Sequence, residues 1–373
     1  MKKVNFINIY SGELERLMES RFSKDIIDNV PQQNKFDYSG WLNCSSNELK
    51  SKSIQLLFQN YLAQQSDYEV YKYPYFQTAT GHLAELFRVS PGQLLLTGGT
   101  NVAIFILLHC FGRTVEQMII EQPNYEQYVS YAHLNGVNLL TVDYDGDENA
   151  VNYLSIIKKN TNCIIQVTNP HGWSGLNINK KAMEEIAFIC KKNSHILIID
   201  EAYGVFDDVY HTDLLSVYNN IFLIRSLSKA LGIASLRVGC VLSTEPNISY
   251  VNRWNPSSPI SQFSLDFLDY CIQNYEYIQN VQNRVVENRE TLKKTLKGMY
   301  KGWRIWDTHS NFITIQFSSK RDFLDFVDIM TRNKIKIRDL SSSPTYSNCI
   351  RMTIHEEIDD IIMTVFKQYL KGR

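Results

Sequence analysis

An α/β fold built on a mostly parallel, seven-stranded sheet is predicted by three observations. Seven short apolar runs recur between residues 94 and 242, amphipathic stretches of helical period separate them, and the runs are apolar throughout. Strands buried on both faces read this way, and their alternation with helices makes a parallel sheet covered by helices. A chain of 373 residues forms one large or two modest domains, since domains usually run about 100 to 200 residues.

The strands expected in order are Leu94 to Thr97, Met118 to Glu121, Leu139 to Val142, Cys163 to Thr168, Ile196 to Asp200, Ile221 to Arg225 and Val238 to Leu242. Helices are expected between them around 100–112, 125–135, 151–159 and 179–193. Past residue 260 the texture changes: 262–300 is long, polar and helical in period, and no buried strand follows until Phe312 to Phe317. Arg321 to Asn333, Lys334 to Arg338, Ile350 to Ile354 and Glu356 to Tyr369 then suggest helix, strand, strand, helix, with Ile358, Ile361, Ile362, Val365 and Tyr369 on one helical face. The reading is an amino-terminal arm over 1–43 belonging in part to a smaller domain, a large α/β domain over 44–260, and a small α+β domain over 261–373.

Composition narrows the function. Hydrophobic residues at 44% and charged residues at 21% suit a chain with a substantial core. Lys plus Arg is 38 against Asp plus Glu at 39, so no global charge favours nucleic acid, and any anion must be held locally. Seven scattered cysteines without a C-x-x-C pair, and eight His without H-E-x-x-H, point to buried thiols in a reducing compartment and to no metal site. No run approaches the roughly 18 apolar residues of a membrane span, and Met1 to Tyr10 lacks a secretory apolar segment. A soluble, cytoplasmic protein is expected.

In open α/β sheets ligands sit at the carboxyl ends of the strands. Leu94 to Thr97 ends in Gly98-Gly99-Thr100-Asn101 and enters a helix, which offers free N–H groups to a phosphate. Ile196 to Ile199 ends in Asp200-Glu201-Ala202-Tyr203, an acid at the end of a buried run that needs a partner. Ile221 to Arg225 leads into Ser226-Leu-Ser228-Lys229, with Arg237 eight residues further on. A lysine at such a strand end beside a guanidinium has its amine pKa depressed by the neighbouring cation and by desolvation, the state a Schiff-base nucleophile requires. Taken singly, these segments are an ordinary tight turn, a helix N-cap and a solvated turn. Neither G-x-x-x-x-G-K-[ST] nor G-x-G-x-x-G is present.

Taken together and in order, these residues resemble the fold-type I pyridoxal phosphate enzymes, and within them the class I/II aminotransferases of the histidinol-phosphate aminotransferase type, from about Asn47 to Glu357. The resemblance implies that Lys229 joins the cofactor covalently, with Ser226, Ser228, Arg237 and the backbone at Gly99, Thr100 and Asn101 on its phosphate. Tyr125, in Pro123-Asn-Tyr-Glu-Gln-Tyr128, is similar to the residue that stacks on the ring; Asp200 would pair with the ring nitrogen, keeping the ring an electron sink, and Tyr203 would donate to the phenolic oxygen. Tyr73, in Tyr71-Lys-Tyr-Pro74, is similar to the tyrosine that reaches the cofactor of a neighbouring subunit, which implies a homodimer with shared sites. Asn47-Glu48 resembles the family's amino-terminal Asn-Glu motif, with Asn47 expected at the substrate. Arg351 and Arg338, thirteen residues apart, match the family's paired arginines: Arg351 for the carboxylate of a small amino-acid substrate, Arg338 for a second anion such as a phosphate.

One segment departs from the family pattern. Where Asn-Pro-x-Asn-Pro-Thr-Gly is usual, this chain has Asn169-Pro170-His171-Gly172-Trp173-Ser174-Gly175, so Gly172, 28 residues before Asp200, replaces a cofactor-binding asparagine. Tyr203 would then carry the phenolic contact alone, unless His171 or a rearranged Asn169 compensates, or Trp173 shapes a pocket for an unusual substrate. An aminotransferase is the leading expectation. The alternatives are elimination or cyclisation of the capreomycidine-synthase kind on a hydroxylated guanidino amino acid, an amino-acid-phosphate decarboxylase, and a catalytically dead fold. Ser226-Leu-Ser-Lys229 also satisfies the S-x-x-K of serine acyl-enzymes, and Tyr346-Ser-Asn348 resembles another of their elements, but no K-T-G follows.

Overall fold

The computed structural model describes residues 39–371 apart from 67, 145, 358 and 359. The arm expected over 1–43 lies, up to residue 38, outside the described residues, as does Ile358.

Seven strands form one sheet: β2 (Leu94–Thr97), β3 (Gln117–Gln122), β4 (Leu139–Asp143), β5 (Cys163–Thr168), β6 (Ile196–Asp200), β7 (Ile221–Ser226) and β8 (Gly239–Leu242), while β1 (Leu42–Asn43) lies outside it. Their spatial order is β2-β8-β7-β6-β5-β3-β4. All neighbours are parallel except β8, which runs antiparallel to both β2 and β7. Helices Thr100–Phe111, Glu126–Leu134, Val151–Ile157 and Lys180–Lys192 alternate with the strands as expected. Asn179 caps the last of them by accepting from the Ala182 N–H. Every residue of β5 and β7 is buried, but β4 is an edge strand whose leucines are only half-buried, because it has a neighbour on one side alone.

A second sheet, in the order β12-β13-β10-β9, belongs to the smaller core. It holds β9 (Trp303–Ile305), β10 (Phe312–Phe317), β12 (Arg338–Asp339) and β13 (Cys349–Thr353), while β11 (Ile335–Lys336) pairs in parallel with β1. The strand expected over 334–338 is thus split at Ile337, and β9 was not foreseen. The single long helix expected over 262–300 is two, Gln262–Gln273 and Tyr275–Met299, separated at Asn274. The first buries Leu265, Phe267, Leu268 and Cys271 in the larger core, and the smaller core takes up from Val281. That core also takes in Cys44, Leu49 and Ile54. In the helix Asp360–Lys371 the buried face is Ile362, Val365, Phe366 and Tyr369, an i, i+3, i+4, i+7 set; Ile361 points outward, one residue off that stripe. All seven cysteines are buried and none is in a disulfide. No described helix is long and apolar enough to cross a membrane.

The carboxyl ends of β5, β6 and β7 lie side by side at Thr168, Asp200 and Ser226. Because β8 runs the other way, its first residue, Gly239, pairs with both Thr97 and Ser226, which brings the preceding Arg237 to the same edge. Beneath this edge Arg225 is buried: its Nε donates to Glu201 Oε2 at 2.7 Å, its guanidinium lies over the rings of Phe87 and Tyr210, and His211 Nδ1 meets Glu201 Oε1 at 3.0 Å. Burial raises the Glu201 pKa, but Arg225 and His211 outweigh it and hold the carboxyl below its ordinary range.

A buried charge stripped of its partner costs about 3 to 5 kcal/mol, whereas an exposed pair is worth about 0 to 1. Arg225→Met is therefore expected to lower denaturant-measured stability by about 3 to 5 kcal/mol, and Lys180→Ala, which breaks the exposed Lys180 to Asp213 pair, by less than about 1.

Candidate active site

A cleft of about 680 Å³ opens at this edge between the two cores, lined among others by Thr100, Tyr125, Trp173, Asp200, Tyr203, Ser226, Lys229, Arg338 and Arg351. That volume suits a cofactor-sized ligand with a substrate beside it. Nine residues singled out in the sequence, from both cores, thus share one space.

Lys229 sits one turn past β7 and donates from Nζ to the Ser46 carbonyl at 2.6 Å. Burial pushes its amine down to about 8; Glu48 pulls the other way, and Arg351 and Arg237 add to the depression. Asp200, at the end of β6, is also buried, and burial pushes its carboxyl up to about 6 although Tyr128 and a backbone N–H favour the charged form. Those two contacts are Tyr128 Oη donating to Oδ2 and the Ala202 N–H donating to Oδ1, each at 3.0 Å. Tyr128 was not foreseen. Its signal was its place three residues after Tyr125, which puts both on one face at the helix start.

Tyr125 donates to Asn101 Oδ1 at 3.0 Å, so the side chain of Asn101 orients that ring. Gly99 has φ +86°, and a Cβ there would stand 2.8 Å from an Arg237 guanidinium nitrogen. The positive φ favours glycine there, and any side chain would push the Arg237 guanidinium aside. Helix geometry leaves the N–H groups of Thr100 and Asn101 without intrahelical acceptors beside that cation, which makes a phosphate-sized anion site.

Asn47 does not line the cleft. It lies behind Tyr203, donating from Nδ2 to Tyr203 Oη at 2.8 Å, and is held by Thr353 and Asn311 of the smaller core. Asn169 turns away too, binding the Ile178 backbone and His211. His171 ties the Pro123 carbonyl to Ser174, and burial pushes its ring down to about 4, so it is a neutral brace. Tyr203 Oη is met by Asn47 and not by Asn169 or His171. A Cβ at Gly172 would lie 3.7 Å from the Tyr203 ring, so the space for a side chain is open there. Trp173 lines the cleft with its carbonyl held by Thr314. Tyr73 is 88% exposed in a separate groove with Tyr75 and Gln262. Ser228 is buried without lining the cleft, and Tyr346-Ser-Asn348 lies outside it.

Arg351 donates to the carbonyls of Gly172 at 2.5 Å and Ser45 at 3.0 Å, while its Nε is buried without a partner. Among the described residues no carboxylate is within ion-pair range of it, and burial lowers its pKa. Arg338 lies directly opposite on β12 and pairs with Glu126 across the cleft at 2.8 Å.

These residues fit pyridoxal phosphate. A buried carboxylate stands at a strand end suited to a cationic ring nitrogen, a depressed amine lines the same cleft just past the neighbouring strand, and a glycine-floored turn beside Arg237 suits an anion. The family profile described as aminotransferase class I and II matches residues 37–364. A histidinol-phosphate aminotransferase of Caldanaerobacter subterraneus subsp. tengcongensis is 23% identical over 353 residues, covering 92% of this chain and 95% of that protein. One from a Thermoanaerobacter species is 24% identical over 314 residues, covering 83% and 87%. The structure of histidinol-phosphate aminotransferase from Sinorhizobium meliloti in complex with pyridoxal-5'-phosphate shares the fold, with a TM-score of 0.77 at 18% identity over 95% of this chain and 98% of that one. With cleft, fold and family profile in agreement, the chain belongs to the class I and II aminotransferases and is a fold-type I, pyridoxal-phosphate-dependent enzyme.

Proposed function

We propose that this aminotransferase takes an amino substrate bearing a compact anion near its amine-bearing carbon, a carboxylate or a phosphate ester, as the name histidinol phosphate implies for its relatives. The observation that carries this reading is Arg351: a half-buried guanidinium braced by two carbonyls, its Nε buried without a partner and no carboxylate of its own. A partly desolvated cation of that kind favours a counter-charge, and a bidentate fork suits a carboxylate or phosphate.

In this reading Lys229 holds the cofactor covalently, Asp200 pairs with its ring nitrogen, and Tyr125 stacks on its ring. Tyr203 donates to its phenolic oxygen, steadied by Asn47. The N–H groups at Gly99, Thr100 and Asn101, with Ser226 and Arg237, would hold its phosphate, with Ser228 buried behind them. When bound, the cofactor supplies an electron sink for the charge that develops at the substrate Cα. Lys229 Nζ would serve as the base that takes the substrate Cα proton and the acid that gives it back, and its depressed pKa suits that exchange. Trp173 borders the substrate side of the cleft. The exposed Tyr71, Tyr73 and Tyr75 support a homodimer in which Tyr73 reaches the other copy's site. Seven buried thiols outside any disulfide support a cytoplasmic location. The elimination and cyclisation alternatives draw on Gly172 and Trp173, and the relatives favour neither these nor decarboxylation.

Cofactor-loaded protein offered glutamate, histidinol phosphate and guanidino or aromatic amino acids is expected to return the keto or aldehyde product of at least one of them; failure with every amino substrate contradicts the proposal. Arg351→Gln is expected to lower kcat/KM about ten- to hundredfold, the scale of lost charge-assisted hydrogen bonds. Capture of pyridoxal phosphate by cofactor-free protein requires a neutral amine. Its rate, followed by absorbance from pH 6 to 10, is expected to rise through about 8 and level off there, whereas an unperturbed lysine would continue to gain to about 10.4.

A further inference from the structure

We propose that Glu126 is a specificity-determining gate carboxylate: paired with Arg338 across the cleft mouth, it admits substrates with one anion and disfavours those with two. The inference rests on the reading of Arg351 and Arg338 as the substrate's anion site and says how that site discriminates.

Three observations carry it. The first is register. Arg338 and Arg351 are direct cross-strand partners on β12 and β13, an arrangement in which like charges destabilise each other. The two are relieved differently: Arg351 is half-buried and braced by backbone carbonyls, while Arg338, 46% exposed, is compensated by Glu126.

The second is placement. Glu126 is the first residue of the helix Glu126–Leu134, where a carboxylate is favoured by the helix end. It directly follows Tyr125, whose hydroxyl is fixed on Asn101. Arg338 belongs to the sheet of the smaller core. The pair therefore ties the ring-stacking segment of one core to the anion-binding strands of the other.

The third is charge balance. Lys229, Lys336, Arg338 and Arg351 line the cleft together with Glu48, Glu126, Asp200 and Asp339, four cations to four carboxylates. A substrate with one anion settles on Arg351 and leaves the Glu126 to Arg338 bridge closed. A second anion must take Arg338 from Glu126 and leave that carboxylate facing it. Glu126→Gln removes the competitor and keeps the shape.

The test is calorimetric titration of cofactor-loaded protein with two unreactive acids of equal chain length, glutarate with two carboxylates and valerate with one. Glu126→Gln is expected to tighten glutarate about two- to fivefold, the scale of an exposed ion pair, and to leave valerate unchanged. Arg338→Gln is expected to weaken glutarate and to cancel the effect of Glu126→Gln in the double variant. If wild type and Glu126→Gln bind glutarate equally while Arg351→Gln weakens both acids, the gate is wrong and the anion site stands. If Arg351→Gln weakens neither acid, the anion-site reading fails and the gate falls with it.

Discussion

Desolvation of one amine organises this molecule. Lys229 sits where β7 ends, in a cleft walled by both cores, with guanidiniums from two directions and a carbonyl as its hydrogen-bond acceptor. Burial alone disfavours an ammonium, and Arg237 and Arg351 disfavour it further. The fold serves this arrangement. Parallel strands align Asp200 and Ser226 with Lys229, and the reversal of β8 carries Arg237 back to the same edge. The smaller sheet supplies Arg351 from the opposite wall.

The support beneath the site is as specific as the site. Glu201 and Arg225 follow Asp200 and precede Ser226, so their buried ion pair locks the two strand ends that carry those residues. Asn47, Thr353 and Asn311 form a comparable brace behind Tyr203. Reacting groups held this way keep their geometry because the residues behind them cannot repack cheaply.

Much of this was legible in the sequence, for physical reasons that also explain the gaps. Strands buried on both faces leave continuous apolar runs, so the six inner and antiparallel-edge strands of the large sheet could be read; β4, solvated on one side, was read too apolar. Residues that follow a parallel strand could be placed at the carboxyl edge, which located Asp200, Ser226 and Lys229. Arg237, read as converging on the same end of the sheet, precedes its strand and reaches that edge because β8 is antiparallel, a reversal the apolar run does not disclose. Asn47, expected at the substrate, instead braces Tyr203, because φ of +55° and Thr353 turn its amide inward. Tyr128, Arg225 and Glu126 were not singled out as functional because their partners are distant in sequence, and such pairings leave no periodic trace. The helix Gln262–Gln273 has the same polar periodicity as its successor, and only packing assigns it to the larger core.

The most direct measurement is borohydride reduction of cofactor-loaded protein, followed by peptide mapping. The account predicts a reduced pyridoxyl group on Lys229 and on no other lysine, and loss of that label in Lys229→Ala. An active protein whose label maps elsewhere, or whose Lys229 peptide stays unmodified, would contradict it.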